Sequence, residues 1–319
     1  MGRALRIAAM GLGGLLLAVL AIAALVLIEA HVEIQGIDPP LPDPVQLEEH
    51  LAAAGGPTRI ATVTTAAQSG GPATLGHVAF VLEWGDGRSF LIDAGMEREQ
   101  AIAFGRMTEL AFGSDPIVAL GSVPEQLGPA TRRIAGVAFT HLHADHTGGL
   151  PGLCEALGRP LPLYQTRWQA ERGNFSTAPS APHLDGARCL RRERLSGGPV
   201  HPVPGFPGLA VVPAAGHTPG SSLFFARVAG HTWVLAGDVS NFMVNLRENR
   251  PKPRVYSWFI VPEARGRLER LRLWLRDLDA RPDSTVLVSH DLDAIEASGL
   301  PAATLDAPPS ASWTPRRSP

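Results

Sequence analysis

The sequence predicts an α/β protein, and three observations carry that reading. Hydrophobic residues make up 45% and charged residues 18% of 319 positions, enough for a substantial buried core. Short strand-type runs alternate with helically spaced segments in both halves of the chain. Four apolar runs stop abruptly at a polar residue: His141, His217, Asp238 and His290. Polar residues at strand ends converge on one crevice in α/β folds.

The first element is the stretch Ile7–Ile28, which contains no charge. As a helix it is roughly 33 Å long, enough to cross a hydrocarbon core. Arg3 and Arg6 precede it, and Glu29, Glu33 and Asp38 follow. That asymmetry keeps the N-terminus cytoplasmic and places the remainder on the extracytoplasmic side. Residues 1–30 are therefore read as a membrane anchor or signal sequence, with the domain secreted or periplasmic if it is cleaved. An uncleaved anchor is favoured, because the apolar part of a signal peptide is usually about 7–15 residues. "GIDPPLPDP" and "AAAGGP" then mark residues 31–58 as a linker.

The domain is expected over 59–300. "RIATVTT" (59–65) and "HVAFVLEW" (77–84) read as strands, "GDG" (85–87) as a turn and "SFLID" (89–93) as the return strand. Residues 97–113 have helical spacing. "IAGVAFT" (134–140) is a buried-strand run that delivers the chain into His141. A helix over 148–158 and a strand over 161–165 follow. Residues 171–208, rich in Pro, Gly and Arg, read as a long surface loop and a candidate lid. A strand (209–214), a hairpin (222–238), a helix (263–280) and a last strand (284–290) complete the domain. Leu268, Leu271, Leu275 and Leu278 share one face of that helix. Residues 301–319 read as a disordered tail.

A net charge of −2 argues against a general nucleic-acid binder, so none is expected as a partner. Between Arg247 and Arg276, however, nine Lys/Arg face three acids. This is either a solvated helix and loop or a rim for anionic substrates or lipid headgroups. Cys154 and Cys189 form one disulfide or none; two distant thiols do not make a metal site.

"THLHADHTGG" (140–149) concentrates His141, His143, Asp145 and His146 after a buried strand. Imidazoles and carboxylates are the ligands of a borderline divalent metal such as zinc. Neighbouring side chains on a tight turn diverge, so four ligands there suit two metals rather than one. The remaining ligands must come from elsewhere, and His217, Asp238 and His290 each end an apolar strand. His31, His50, His77, His183, His201 and His231 lack partners in sequence and read as surface or loop residues. His183 and His201 lie in the expected lid.

"HLHADH" resembles the HxHxDH signature of the metallo-β-lactamase-fold hydrolase superfamily. "LIDAG" (91–95), "AGHTPGSS" (215–222), "LAGD" (235–238) and "VSHD" (288–291) resemble its other motifs, in the same order. The resemblance covers about residues 59–295. It implies a four-layer αββα sandwich of two mixed sheets with helices outside. It implies that His141, His143 and His217 hold one zinc, that Asp145, His146 and His290 hold a second, and that Asp238 bridges them. Iron or manganese are the alternatives. Asp93 would steady the ligand loop. The implied chemistry is a metal-bound hydroxide attacking an ester-type bond of a small-molecule substrate, with Asp145 passing a proton to the leaving group.

Among these hydrolases the chain is most similar to quorum-quenching lactonases, which makes a lactone the leading substrate. Those enzymes carry a tyrosine three residues after the bridging aspartate, where this chain has Asn241. Tyr256 is a distant substitute. The alternatives are a phosphodiesterase whose Arg-rich 247–254 loop grips phosphate, a mononuclear iron thiol dioxygenase, and a non-catalytic metal-binding module.

Overall fold

Two β-sheets face each other across an apolar layer, and helices cover both outer faces. The computed structural model describes residues 2–69, 73–171, 184 and 186–303. The first sheet contains β1 (Arg59–Gln68), β2 (Leu75–Glu83), β3 (Ser89–Ile92), β4 (Val118–Ala119), β5 (Ile134–Ala138), β6 (Leu161–Gln165) and β7 (Leu190–Arg194). Its order is β4-β1-β2-β3-β5-β6-β7. The second contains β8 (His201–Pro202), β9 (Leu209–Pro213), β10 (Ser222–Val228), β11 (His231–Leu235) and β12 (Ser284–Leu287), in the order β12-β11-β10-β9-β8. Both sheets are mixed: β3, β5, β6 and β7 pair in parallel, as do β11 and β12.

The four layers follow from side-chain alternation, since successive strand residues face opposite ways. Val78, Phe80 and Leu82 of β2 point between the sheets, where they meet Val211, Phe224 and Leu235. Ala79 and Val81 point outward, among Leu150 and Leu153 of the helix Leu150–Leu157. On the other side Leu223, Phe225 and Val234 pack against Leu268, Leu271, Leu275 and Leu278 of the helix Arg265–Asp279. The single leucine face read from the sequence is the face that is buried.

Three segments differ from the sequence reading. The supposed linker contains a helix, Pro44–Leu51, whose Leu47 and Leu51 are buried against the second sheet. Asp43 caps it, with Pro44 at its first turn and Gln46 closing the capping box. The supposed lid contributes β7 and β8 to the two sheets, so it is partly scaffold. Residues 172–183 and 185, including His183, lie outside the described residues. Of the expected tail, Pro301–Ala303 run beside β1: Thr62 N donates to Pro301 O at 2.9 Å and Ala303 N to Thr62 O at 2.7 Å. Residues 304–319 lie outside the described residues.

Cys154 and Cys189 form a disulfide, which ties the helix Leu150–Leu157 to the start of β7. The apolar N-terminal stretch forms a helix, Arg3–Ile34, of which Met10–Ile34 is long and apolar enough to cross a membrane.

Candidate metal centre

Strand ends bring the singled-out residues together. β5 ends at Ala138, and three residues later the chain reaches His141. His143 caps a short helix, Ala144–Thr147, which carries Asp145 and His146. His217 follows β9, Asp238 follows β11 and His290 follows β12. All seven converge in one buried cleft.

The turns that aim these side chains have special backbone geometry. Gly237 has φ +57, and a Cβ added there would sit 2.8 Å from Thr140 Cβ. Only glycine lets the Asp238 loop approach the His141 loop so closely. Asp93 also has a left-handed φ, of 61. Its carboxylate accepts from Thr140 N and Oγ1, each at 2.8 Å, and from His146 Nδ1 at 2.9 Å. Strained backbone of this kind persists where the surroundings over-determine it.

Four of these histidines share one orientation. His146 Nδ1 donates to Asp93. His217 Nδ1 donates to Glu263 Oε1 at 2.8 Å, and His290 Nδ1 to the Gly76 carbonyl at 2.8 Å. His141 Nδ1 lies 3.2 Å from Thr140 Oγ1. An Nδ1 that donates outward leaves Nε2 with a lone pair facing the cleft. Nε2 of His141 and of His146 has no hydrogen-bond partner there, and neither does Asp238 Oδ1. His217 Nε2 stands 3.2 Å from His143 Nδ1. Asp238 lies centrally, with Oδ1 3.2 Å from His290 Nε2 and 3.6 Å from His146 Nε2, and Oδ2 3.6 Å from His217 Nε2. Buried polar atoms without partners are costly, and lone pairs directed at one another call for a cation between them. The donor set of imidazoles and carboxylates fits zinc.

Electrostatics agree with a crowded, dry site. Burial pushes His141 well below the usual imidazole range, and the neighbouring histidines push it further. Burial also opposes charge on His146, but Asp93, Asp145 and Asp238 outweigh it and raise its pKa to about 10, so with no cation in the cleft a proton sits on Nε2, where a bound metal would take its place. Asp145 and Asp238 are both held below the usual carboxylate range: burial works against this, and the surrounding histidines overcome it.

Sequence reasoning missed three participants. His77, read as a surface or loop residue, lies inside β2, and its Nδ1 is 3.4 Å from Asp145 Oδ2. Its ring packs edge-on to His290 at 5.1 Å, and neither ring nitrogen has a hydrogen-bond partner. With Asp145 and His290 it forms one of three clusters able to hold an ion; His141, His143 and His217 form another, and His141, His146 and Asp238 the third. Glu263 is the second, through His217. Lys252 is the third: its Nζ lies 3.0 Å from Glu263 Oε1 and donates to the Asp238 carbonyl at 3.3 Å. Of the remaining histidines, His201 is buried in β8 and His31 packs on Trp258.

The basic run 247–276 is mostly structural. Arg247 pairs with Asp279, Arg250 with Glu248 and Lys252 with Glu263. Arg267 donates to Ala214 O and Asp38, and Arg272 to Asn249 Oδ1. The cavity beside the cleft, about 500 Å³, has no Arg or Lys among its described lining residues. It reaches from His77, His143, Asp145, Asp238 and His290 outward between the helix Arg98–Phe112 and the turn Tyr256–Ile260. Phe104, Met107, Phe242 and Val255 give it apolar walls, and Asn241 and Tyr256 both line it.

A family model for the metallo-beta-lactamase superfamily matches residues 73–294. Among solved structures, an N-acyl homoserine lactone hydrolase with N-hexanoyl-L-homoserine at its catalytic metal centre is 16% identical, with a TM-score of 0.53 over 76% of this chain and 96% of that one. A quorum-quenching N-acyl homoserine lactone lactonase is also 16% identical, with a TM-score of 0.54 over 76% and 95%. A B. thuringiensis protein solved with N-decanoyl-L-homoserine at its active site gives the same identity and TM-score over 76% and 96%. At such identity these likenesses establish the fold. No curated protein matches the sequence. The chain belongs to the metallo-beta-lactamase superfamily and carries its hydrolase fold.

Proposed function

We propose that the protein is a membrane-anchored dinuclear zinc hydrolase of ester-type bonds, with a lactone as its leading substrate. The observation that carries this is the common orientation of the histidines. His141, His146, His217 and His290 each have Nδ1 toward a protein oxygen and Nε2 toward the cleft. His141, His143 and His217 would hold one metal, and Asp145, His146 and His290 the other, with Asp238 between. His77 stands beside the second group. When bound, the metal pair supplies Lewis acidity and a nucleophile available near neutral pH.

The chain's own residues supply the rest. Asp145 is ionised and faces the cleft, placed to carry a proton toward a leaving group. Glu263 fixes the tautomer of His217, and Lys252 holds Glu263; that carboxylate is pushed down to about 2, Lys252 and His217 overcoming its burial. Burial pushes the Tyr256 phenol up to about 12, so it stays protonated and able to donate. It lines the same cavity as Asn241, which occupies the sequence position of the lactonases' tyrosine. Tyr256 therefore takes over the donation to the substrate carbonyl. The apolar walls suit an acyl chain, and among the described lining residues there is no Arg or Lys to grip a phosphodiester.

The charges around the N-terminal helix support a topology with the domain on the extracytoplasmic side. The Cys154–Cys189 disulfide supports that compartment, because disulfides persist where thiols are oxidised.

Three outcomes are expected. Against a panel of lactones, phosphodiesters and thiols, the purified full chain hydrolyses a lactone, and the His143→Ala, Asp238→Ala double variant does not; activity surviving in that variant overturns the site. Asp93→Asn weakens zinc affinity by about 10–100-fold in a chelator competition, because His146 loses its charged acceptor; unchanged affinity contradicts that role. Tyr256→Phe lowers kcat roughly a hundredfold with both metals retained, the usual scale for one transition-state donor; unchanged kcat removes Tyr256 from the reaction.

A further inference from the structure

The N-terminal helix does not end in a free linker. Ala30, Ile34 and Ile37 are buried, and His31 packs on Trp258, with ring centroids 5.3 Å apart and Nε2 3.1 Å from the Trp258 carbonyl. Just beyond, Asp38 pairs with Arg267 at 2.8 Å and with Arg270 at 2.7 Å. The helix end is thus tied to the domain at two points, beside the turn Tyr256–Ile260.

This attachment sets a depth. The uncharged stretch ends at Ile28, and His31 is three residues on, about 4–5 Å along a helix. The headgroup layer on each side of a bilayer is roughly 5–7 Å thick. Trp258, packed against His31 with the two rings tilted by 50°, would then lie at headgroup depth, where tryptophan is favoured. It is 56% exposed, and its neighbours Phe259 and Val255 are 63% and 67% exposed. Three large apolar side chains on one turn are a costly surface in water but a suitable one at a lipid interface. Arg254, also exposed, precedes them and matches lipid phosphates.

The same turn forms the rim of the catalytic cavity. Val255 and Met107 line the cavity and are also exposed at its edge, and Tyr256 and Ile260 continue the wall inward. We infer that the cavity opens onto the membrane surface, with Trp258 and Phe259 seated among the lipid headgroups, and that it takes long-chain acyl amphiphiles dissolved in the bilayer. Such a substrate moves its chain from lipid into the apolar walls without crossing water, and its polar head reaches the histidine cleft. The inference rests on the anchored-lactonase reading, and it adds the substrate class and the route of entry.

The test uses the full chain reconstituted in phosphatidylcholine vesicles. With lipids brominated near the headgroup end of their acyl chains, tryptophan emission of the parent falls, and Trp258→Phe removes most of that loss. Equal quenching of parent and variant overturns the placement. Acyl lactones of four and twelve carbons are then compared in the same vesicles. The parent prefers the longer chain by at least about tenfold in kcat/KM. The Trp258→Ser, Phe259→Ser variant loses that preference while its rate on the short chain is unchanged. A preference that survives in that variant overturns the entry route. A chain that turns over no lactone yet still shows Trp258-dependent quenching overturns the lactone reading and supports the placement.

Discussion

Four histidines of the cleft each place one ring nitrogen beside an oxygen outside it and turn the other inward, and much of the fold is arranged to permit this. His146 depends on Asp93, which adopts a left-handed backbone at the end of β3 to reach it. The same carboxylate holds the Thr140 backbone, and Thr140 presses against Gly237, beside Asp238. His217 depends on Glu263, and Glu263 on Lys252 and Ser257. His290 depends on the Gly76 carbonyl at the start of β2. One orientation rule therefore links β2, β3, β5, β11 and β12 across both sheets. Burying this many ionisable groups would be prohibitive unless their charges were balanced, and a cation between inward lone pairs would supply that balance.

The parts of the site legible in the sequence are those where ligands are close in the chain or end an apolar run. His141, His143, Asp145 and His146 fall within six residues, and His217, Asp238 and His290 each interrupt a strand pattern. His77 gave a weaker signal, a lone histidine in β2 on the face it shares with Ala79 and Val81. An unpaired imidazole on an apolar strand face was the clue available. Glu263 and Lys252 left no local mark, because their meeting with His217 is purely tertiary. The basic run left its reading open for the same reason: several of its partners, Asp38, Ala214, Asn249 and Asp279, are distant or carry no charge, although Glu248 and Glu263 lie within it.

The fold was legible to a similar degree. Strands with strict alternation or continuous apolar character were found within a few residues. β7, "LRRER", was missed because it is an edge strand with exposed polar side chains and reads as loop. The helix Pro44–Leu51 was hidden by surrounding prolines, although Asp43, Pro44 and Gln46 are ordinary helix-start residues. Its burial against the second sheet, with the Asp38 pairs, makes the segment after the long apolar helix a fixed stalk. On the proposed membrane placement, such a stalk would hold the cavity at a set depth beside the bilayer.

The central claim is that the cleft holds two zinc ions. Elemental analysis of the purified full chain, beside the Asp238→Ala variant, tests it most directly. The account predicts two zinc ions per parent chain and fewer in the variant, since Asp238 stands between the two groups. A single iron per chain, or a metal content unaffected by Asp238→Ala, would contradict it.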